Sequence, residues 1–192
     1  MGVPTPTIPT FTDGLVVHAT DLNALASNLT NLYLYNNAGF TTQKPCVIAK
    51  QTTGQSIPNN TNTLINFQSA AINTDNMWTA SVPNQITIQH AGIYLLVGQV
   101  MYPQFGSATL ATNGGGSICV NGTTPVTNAV SVGANNAGQN SPQPVGNPSS
   151  LQNLAAGATV FLNAAHTFGS SQTLITTYGS SYLAAIFITP ST

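Results

Sequence analysis

The chain has 192 residues, of which 42% are hydrophobic and only 3% are charged, and its formal net charge is -1. This length suits one domain with a sizeable core. Two lysines, Lys44 and Lys50, cannot form a phosphate-binding stripe or a cationic surface for anionic lipid, so we expect neither nucleic acid nor membrane as a partner. Weak charge repulsion between copies favours self-assembly.

Residues 1–17 are rich in proline, which favours an extended, polyproline-like arm with little core of its own. The segment has neither the charged start nor the apolar core of a signal peptide, so we expect the protein to be made in the cytoplasm. Such an arm becomes ordered by docking onto a partner. The residues predicted to dock are Pro4, Pro6, Pro9 and Phe11.

Residues 18–43 contain one short predicted helix and a linker. Thr20 or Asp21 can cap the helix, and its leucines then recur at spacings of three, four and three. These leucines are Leu22, Leu25, Leu29 and Leu32. A helix near or below about 12 to 15 residues needs packing partners. It is either a surface helix on its own domain or part of a trimeric parallel bundle, in which the leucines form a trimer interface.

From residue 44 to 192 the pattern predicts β structure throughout, as short apolar runs separated by Gly, Pro and Asn. The runs are CVIAK, TLINF, QITIQ, GIYLLVGQVMY, SICV, AVSV, TVFLNAA, TLITTY and YLAAIFIT. Many short strands without intervening helices indicate a sandwich or a jelly roll.

Three segments of this region are predicted to be turns or loops. Asn121-Gly122, between SICV and TTPV, is typical of a tight type I′ hairpin turn. The glycine run at 113–116 lacks the lysine of a phosphate loop and suits a flexible turn between strands. Residues 133–150 are polar and rich in Gly, Pro and Asn, so we expect a surface loop there.

Two of the predicted strands, 92–102 and 182–189, are apolar on both faces. In the first, Ile93 and Leu95 point one way and Tyr94 and Leu96 the other. A strand in a two-sheet sandwich buries one face and exposes the other, so a strand with two apolar faces needs a third layer. No predicted helix remains to supply it, and another copy of the chain is the economical cover.

The spacing of several residues resembles the signature of the C1q domain, a member of the C1q and tumour-necrosis-factor jelly-roll superfamily. These residues are Phe67, Asn73, Trp78, Ile86 and the run 92–96, and LAAGATVFL at 154–162 and the closing YLAAIFI agree with the family pattern. Gly98 departs from it, since the family prefers an aromatic residue there. The resemblance implies a mainly β jelly roll that forms a homotrimer around a threefold axis. On this basis we assign Tyr94, Leu96, Tyr182 and Ile186 to the trimer interface.

The amino-terminal region is similar to the opening "F-x-D-G-x-x-V-x-A-x-x-L-N-x-L" of bacteriophage virion proteins, including head fibres, decoration proteins and some tail proteins. The similarity rests on Phe11, Asp13, Gly14, Ala19, Leu22, Asn23 and Leu25. It implies that the arm docks onto the major capsid protein or another virion protein.

Candidates for chemistry are few, because the chain has three histidines, three aspartates and two cysteines. Asp75 and His90 could join a serine in a triad, but no Gly-x-Ser-x-Gly elbow is present, so we expect no catalysis and no cofactor. His90 or His166 near a threefold axis could present three metal ligands, although a structural histidine is the favoured role and no metal is assigned. Cys46 and Cys119 are interpreted as structural thiols, with a disulfide as the alternative.

These observations predict a non-enzymatic virion protein with three parts: an arm at 1–17, a helix and linker at 18–43, and a C1q-like jelly roll at 44–192. A capsid decoration or head-fibre protein is favoured because one anchor and one jelly roll make up the chain. The alternative is a tail fibre or adsorption protein whose exposed domain binds a host surface glycan or protein. A spore-coat or bacterial surface protein is disfavoured, since it would carry collagen-like repeats.

Overall fold

The computed structural model describes residue 23 and the ranges 44–103, 113–136, 146–177 and 179–190. Pro45–Ser191 form one compact unit. The arm and almost all of 18–43 lie outside the described residues, so the docking prolines, Phe11 and the four leucines stay predictions. None of the helices in the described ranges is long and apolar enough to cross a bilayer.

The described residues from 44 onward form twelve strands, a 3₁₀ turn at Thr74–Asn76 and one short helix, α1, at Pro125–Asn128. The first six strands are β1 (Cys46–Lys50), β2 (Ser56–Ile57), β3 (Thr63–Leu64), β4 (Ser69–Asn73), β5 (Ile86–Thr87) and β6 (Gly92–Gln99). The remaining six are β7 (Asn113–Val120), β8 (Ala129–Asn136), β9 (Ser149–Leu154), β10 (Thr159–His166), β11 (Gln172–Thr173) and β12 (Tyr182–Thr189).

The strands form two antiparallel sheets that pack face to face, as predicted for a sandwich. The first sheet has the order β4-β1-β12-β6-β9, and the second has the order β3-β10-β7-β8 with β5 also paired to β10. The first and last strands along the chain, β1 and β12, are neighbours in the first sheet. β2 and β11 form a separate two-stranded ribbon.

The core lies between the two sheets and contains one face of each central strand. Along β6, the odd-numbered side chains are half-buried, whereas Tyr94 and Leu96 are completely buried. Gly98 is needed where the sheets approach closely, because a Cβ there would lie 2.9 Å from Cδ1 of Leu162 and 3.1 Å from Cγ of Pro148. The aromatic residue that the C1q pattern prefers at this position would not fit.

The residues that carry the C1q resemblance have structural roles. The Asn73 amide donates to the carbonyl oxygen of Trp78 (2.8 Å) and accepts from its backbone N–H (3.1 Å), and the indole N–H of Trp78 donates to the carbonyl of Pro83 (3.2 Å). These bonds close the turn that follows β4. Phe67 and Ile86 are buried in the core.

Two of the predicted turns are wrong. The glycine run at 113–116 is part of β7, because ladders to β10 and β8 on both sides satisfy its backbone and outweigh the low strand propensity of glycine. Asn121 does have the positive φ (54°) expected in a hairpin turn. The antiparallel hairpin is confirmed, since β7 pairs with β8. However, the connection between them spans 121–128 and includes α1, so the turn is not tight and TTPV is not a strand.

The predicted loop at 133–150 is wrong at its ends, since 133–136 belong to β8 and 149–150 to β9; residues 137–145 lie outside the described ranges. Strands β2, β4 and β9 were not predicted. β9 has the polar sequence SSLQNL and becomes a strand because it pairs along its length with β6.

Candidate assembly surface

The first sheet has one face in the core and a second, largely apolar face that points away from it. The strand register aligns this second face in two rows across the sheet. One row runs through Ile72, Ile48, Ala184, Val97 and Ser149, and the other through Cys46, Ile186, Leu95 and Leu151. We call this surface the assembly face.

The described residues leave much of the assembly face open to solvent. Leu151 and Ile72 expose 62% and 44% of their surfaces. Ile48, Leu95 and Val97 are only half-buried. An apolar surface that extends over five strands is unusual for an isolated soluble domain and marks an interaction site.

Of the four β-strand residues assigned to the trimer interface, two lie on the assembly face and two lie on the core face. Tyr182 and Ile186 lie on the assembly face and are half-buried. The assignment of Tyr94 and Leu96 is wrong, because both are 0% exposed within the subunit and pair with Phe187 and Ala185 on the core face. Their neighbours Ile93, Leu95 and Val97 occupy the assembly face instead. The alternation was predicted correctly, but the wrong face of β6 was chosen.

Polar groups lie at one end of the assembly face. Lys50 pairs with Tyr182, which in turn pairs with Gln99, to form a third row. The rows beside them contain no charged residue among those that the structure describes. Burial of these two rows in an interface would therefore not bury an unpaired charge.

Both cysteines are free thiols. Cys119 is buried in the second sheet, where its Sγ accepts a hydrogen bond from the Asn163 amide (3.4 Å). Desolvation raises the pKa of Cys119 despite this bond, and it also raises the pKa of Cys46. The interpretation as structural thiols holds for Cys119, whereas Cys46 is half-buried on the assembly face.

His166 is a structural histidine. Its Nδ1 accepts a hydrogen bond from the backbone N–H of Phe168 (3.3 Å), so Nε2 carries the proton and donates to the carbonyl oxygen of Ile57 (2.8 Å). The ring is 2% exposed and stacks on Phe168 with centroids 5.0 Å apart. Both ring nitrogens are thus used inside the subunit, which removes His166 as an axial metal ligand.

Asp75 and His90 are brought together at the surface, with 3.4 Å between Oδ2 and Nε2. Asp75 has a left-handed conformation (φ 60°) in the 3₁₀ turn, and the carbonyl of His90 accepts a hydrogen bond from the Tyr94 hydroxyl (2.8 Å). The pair thus joins the 3₁₀ turn to the start of β6. Among the described residues, no group of three or more His, Cys, Asp or Glu side chains could hold a metal ion.

Comparison with solved structures identifies the arrangement of the two sheets. The globular domain of zebrafish complement 1qA matches with a TM-score of 0.57 at 9% identity, and the match covers 77% of this chain and all of that domain. Murine APRIL at pH 8.0 matches with a TM-score of 0.54 at 12% identity, over 76% of this chain and 100% of APRIL. The structure of murine APRIL at pH 8.5 matches with a TM-score of 0.51 at 12% identity, over 74% of this chain and 99% of APRIL.

The chain has a C1q/TNF-like jelly-roll fold. No family model and no curated protein matches the sequence. At such low identities the likeness shows the fold alone. The fold agrees with the prediction from Phe67, Asn73, Trp78 and the run 92–96.

Proposed function

We propose that this protein is a non-enzymatic homotrimer that decorates a phage capsid, anchored by residues 1–17 and displaying its jelly roll outward. The assembly face carries the proposal. Its apolar rows need a cover, and the described residues leave Leu151 and Ile72 largely exposed.

Self-association is favoured over a different partner for two reasons. The chain has almost no charge to repel its own copies, with a formal net charge of -1. A largely apolar sheet face can pack against other copies of the same chain, and three copies around an axis can bring all three such faces into one closed assembly. Burying apolar surface supplies roughly 25 cal/mol per Å².

The trimer is tested with one exposed residue on the assembly face and one exposed residue away from it. Leu151→Glu places a charge on the assembly face, and because Leu151 is 62% exposed the fold of one subunit should tolerate it. Val126→Glu is the matched control, since Val126 is 90% exposed and lies in α1, beside the second sheet. Light scattering should give a molar mass of three times the 19.8 kDa chain mass for the natural protein and the control. It should give the mass of a single chain for Leu151→Glu. A monomeric natural protein would refute the trimer.

The placement on a capsid is supported by the amino-terminal pattern of Phe11, Asp13, Gly14 and Leu22, which is similar to virion proteins. A variant that lacks residues 1–17 should remain a soluble trimer and should no longer bind particles. Gold-labelled antibody against residues 44–192 should then mark the heads of particles in the source lysate. Undiminished binding by the truncated trimer would refute the anchor, and gold confined to tails would refute the capsid placement.

A second candidate function is adsorption, in which the exposed domain of a tail fibre binds the host surface. A specific observation favours it: the second sheet, which faces away from the assembly face, carries an open uncharged cavity beside β7. The same trimer could serve either function. Gold on the tails would make adsorption the leading one.

A further inference from the structure

The second sheet carries a cavity of about 380 Å³ on the side that faces away from the core. Gly116 and Ile118 face the core, because a Cβ on Gly116 would lie 2.6 Å from the buried Val100, and Ile118 is 0% exposed. Alternation then points Gly115 and Ser117 outward. The register pairs these two residues with Ala165 and Asn163 of β10.

These four residues form the floor of the cavity. Because glycine, alanine and serine have small side chains, the outer surface of β7 and β10 is recessed at these positions. Val132 of β8, which is opposite Ser117, borders the floor on one side. Asn60, Asn62 and Thr167 line it as well. The glycine run that resembled a turn in the sequence thus creates a concave site in a strand.

The floor contains a polar group that is oriented but only partly used. The Asn163 amide donates to the carbonyl of Thr123 (3.2 Å) and to Sγ of Cys119 (3.4 Å). These bonds fix the side chain, and none of the described residues donates a hydrogen bond to its Oδ1. Asn163 lines the cavity and is only 2% exposed, so this amide is held in one orientation at the floor.

The cavity selects against charged ligands. Among the described residues that line it there is no Lys, Arg, Asp or Glu, and the one ionisable neighbour, His166, uses both ring nitrogens internally. A charged group placed there would lose hydration without gaining a partner. Asparagine amides and serine or threonine hydroxyls offer both donors and acceptors, which is the pattern that sugar hydroxyls match.

We propose that this cavity binds one or two units of a neutral, hydroxyl-rich glycan. The Asn163 Oδ1 accepts from a sugar hydroxyl, while Val132 and Ala165 pack against the C–H face of the ring. The volume lies at the lower end of the roughly 300–1,000 Å³ range of small-ligand sites, which suits a short saccharide better than a long peptide. The inference deepens the adsorption function, but it needs neither the trimer nor the particle, because all the lining residues belong to one subunit.

The test is saturation-transfer NMR on the full-length protein with the methyl glycosides of glucose, galactose, mannose, N-acetylglucosamine and rhamnose. Glucosamine and glucuronic acid serve as charged comparators, and a peptide of residues 1–11 with an acetylated amino terminus and an amidated carboxyl terminus serves as an uncharged peptide. Ala165→Leu fills the floor, and Ala155→Leu, in the exposed turn between β9 and β10, is the matched control. Val132→Phe provides a second block at a position that is 68% exposed, should Ala165→Leu fold poorly.

We expect transfer to at least one neutral sugar, unchanged in Ala155→Leu and weakened about tenfold or more in Ala165→Leu and Val132→Phe. Equal transfer in the blocked variants would overturn the site. Transfer to charged sugars alone, to the peptide alone, or to none of the probes would overturn the ligand class. Light scattering on the same samples reports the trimer separately, so failure of one proposal is distinguishable from failure of the other.

Discussion

Tyr94 and Phe187 meet edge to face inside the sandwich, with ring centroids 5.3 Å apart and planes at 82°. The next residues on these two strands, Leu95 and Ile186, pair on the opposite face. Such perpendicular aromatic pairs add about 0.5–1.5 kcal/mol beyond the area they bury. Adjacent residues of β6 therefore have different roles: Tyr94 stabilises the subunit from the core face, and Leu95 is available for assembly on the other face.

Adjacent leucines on β6 should consequently respond differently to truncation. Leu96→Ala removes a fully buried side chain and should lower the free energy of unfolding by about 2–5 kcal/mol, with the folded protein still trimeric. Leu95→Ala should instead weaken the trimer, as seen in sedimentation over a dilution series. If both variants change stability and association equally, the division of the two faces is wrong.

Asn73→Ala should destabilise the jelly roll by about 1–3 kcal/mol, because it removes both hydrogen bonds to the backbone of Trp78 and leaves those groups unpaired. Denaturant unfolding followed by the fluorescence of Trp78 measures the effect directly. Asn66→Ala is the control, since Asn66 is exposed and only its backbone forms hydrogen bonds. An equal loss in the two variants would contradict a specific role for Asn73.

Gly92→Ala should cost about 1–3 kcal/mol through overpacking at the start of β6. The added methyl would fall on the ring of Phe187 and lie 2.8 Å from the carbonyl oxygen of Thr189. Adding Phe187→Leu to Gly92→Ala should recover part of this loss, as measured by a double-mutant cycle in denaturant. A purely additive result would show that the ring is not the obstacle.

Alkaline pH should destabilise the fold in a predictable window. Burial, and to a lesser degree the charge of Asp75, raises the pKa of Tyr94 to about 12, and burial also raises the pKa of Tyr102. An unfolded tyrosine ionises near pH 10, so the unfolded state loses its proton first and stability falls as the pH rises from about 10 to 12. The Tm should decline over this range, and less steeply in Tyr94→Phe. A Tyr94→Phe profile as steep as that of the natural protein would refute the assignment.

The two thiols should report assembly. Cys46 lies on the assembly face, whereas Cys119 is buried within the subunit on the second sheet. Iodoacetamide should modify Cys46 slowly in the natural protein and faster in Leu151→Glu, because the trimer covers this face, whereas Cys119 should react only after unfolding. Mass spectrometry of timed samples distinguishes the two sites. Equal rates at Cys46 in both proteins would argue against burial of the assembly face.

Several strands could be predicted from sequence because local pattern and tertiary structure agree. CVIAK and YLAAIFIT coincide with β1 and β12, since both are rich in the β-branched and aromatic residues that are enriched in strands. β7 could be predicted only in part, as SICV, and β9 could not be predicted. Their glycines, serines and amides favour turns locally, and only pairing with neighbouring strands makes them extended.

The assembly face could likewise be predicted in part from the sequence, whereas the cavity could not. The alternation of 92–97 established from sequence alone that β6 has two apolar faces, which implied a further layer. It could not identify the core face, because Leu95 and Leu96 are chemically equivalent and only the packing of the two sheets distinguishes them. The cavity was beyond prediction, since Ser117 and Asn163 are 46 positions apart in the chain and become neighbours through the register of β7 and β10. Sequence determined which residues can be buried, and the tertiary structure decided which of them face one another.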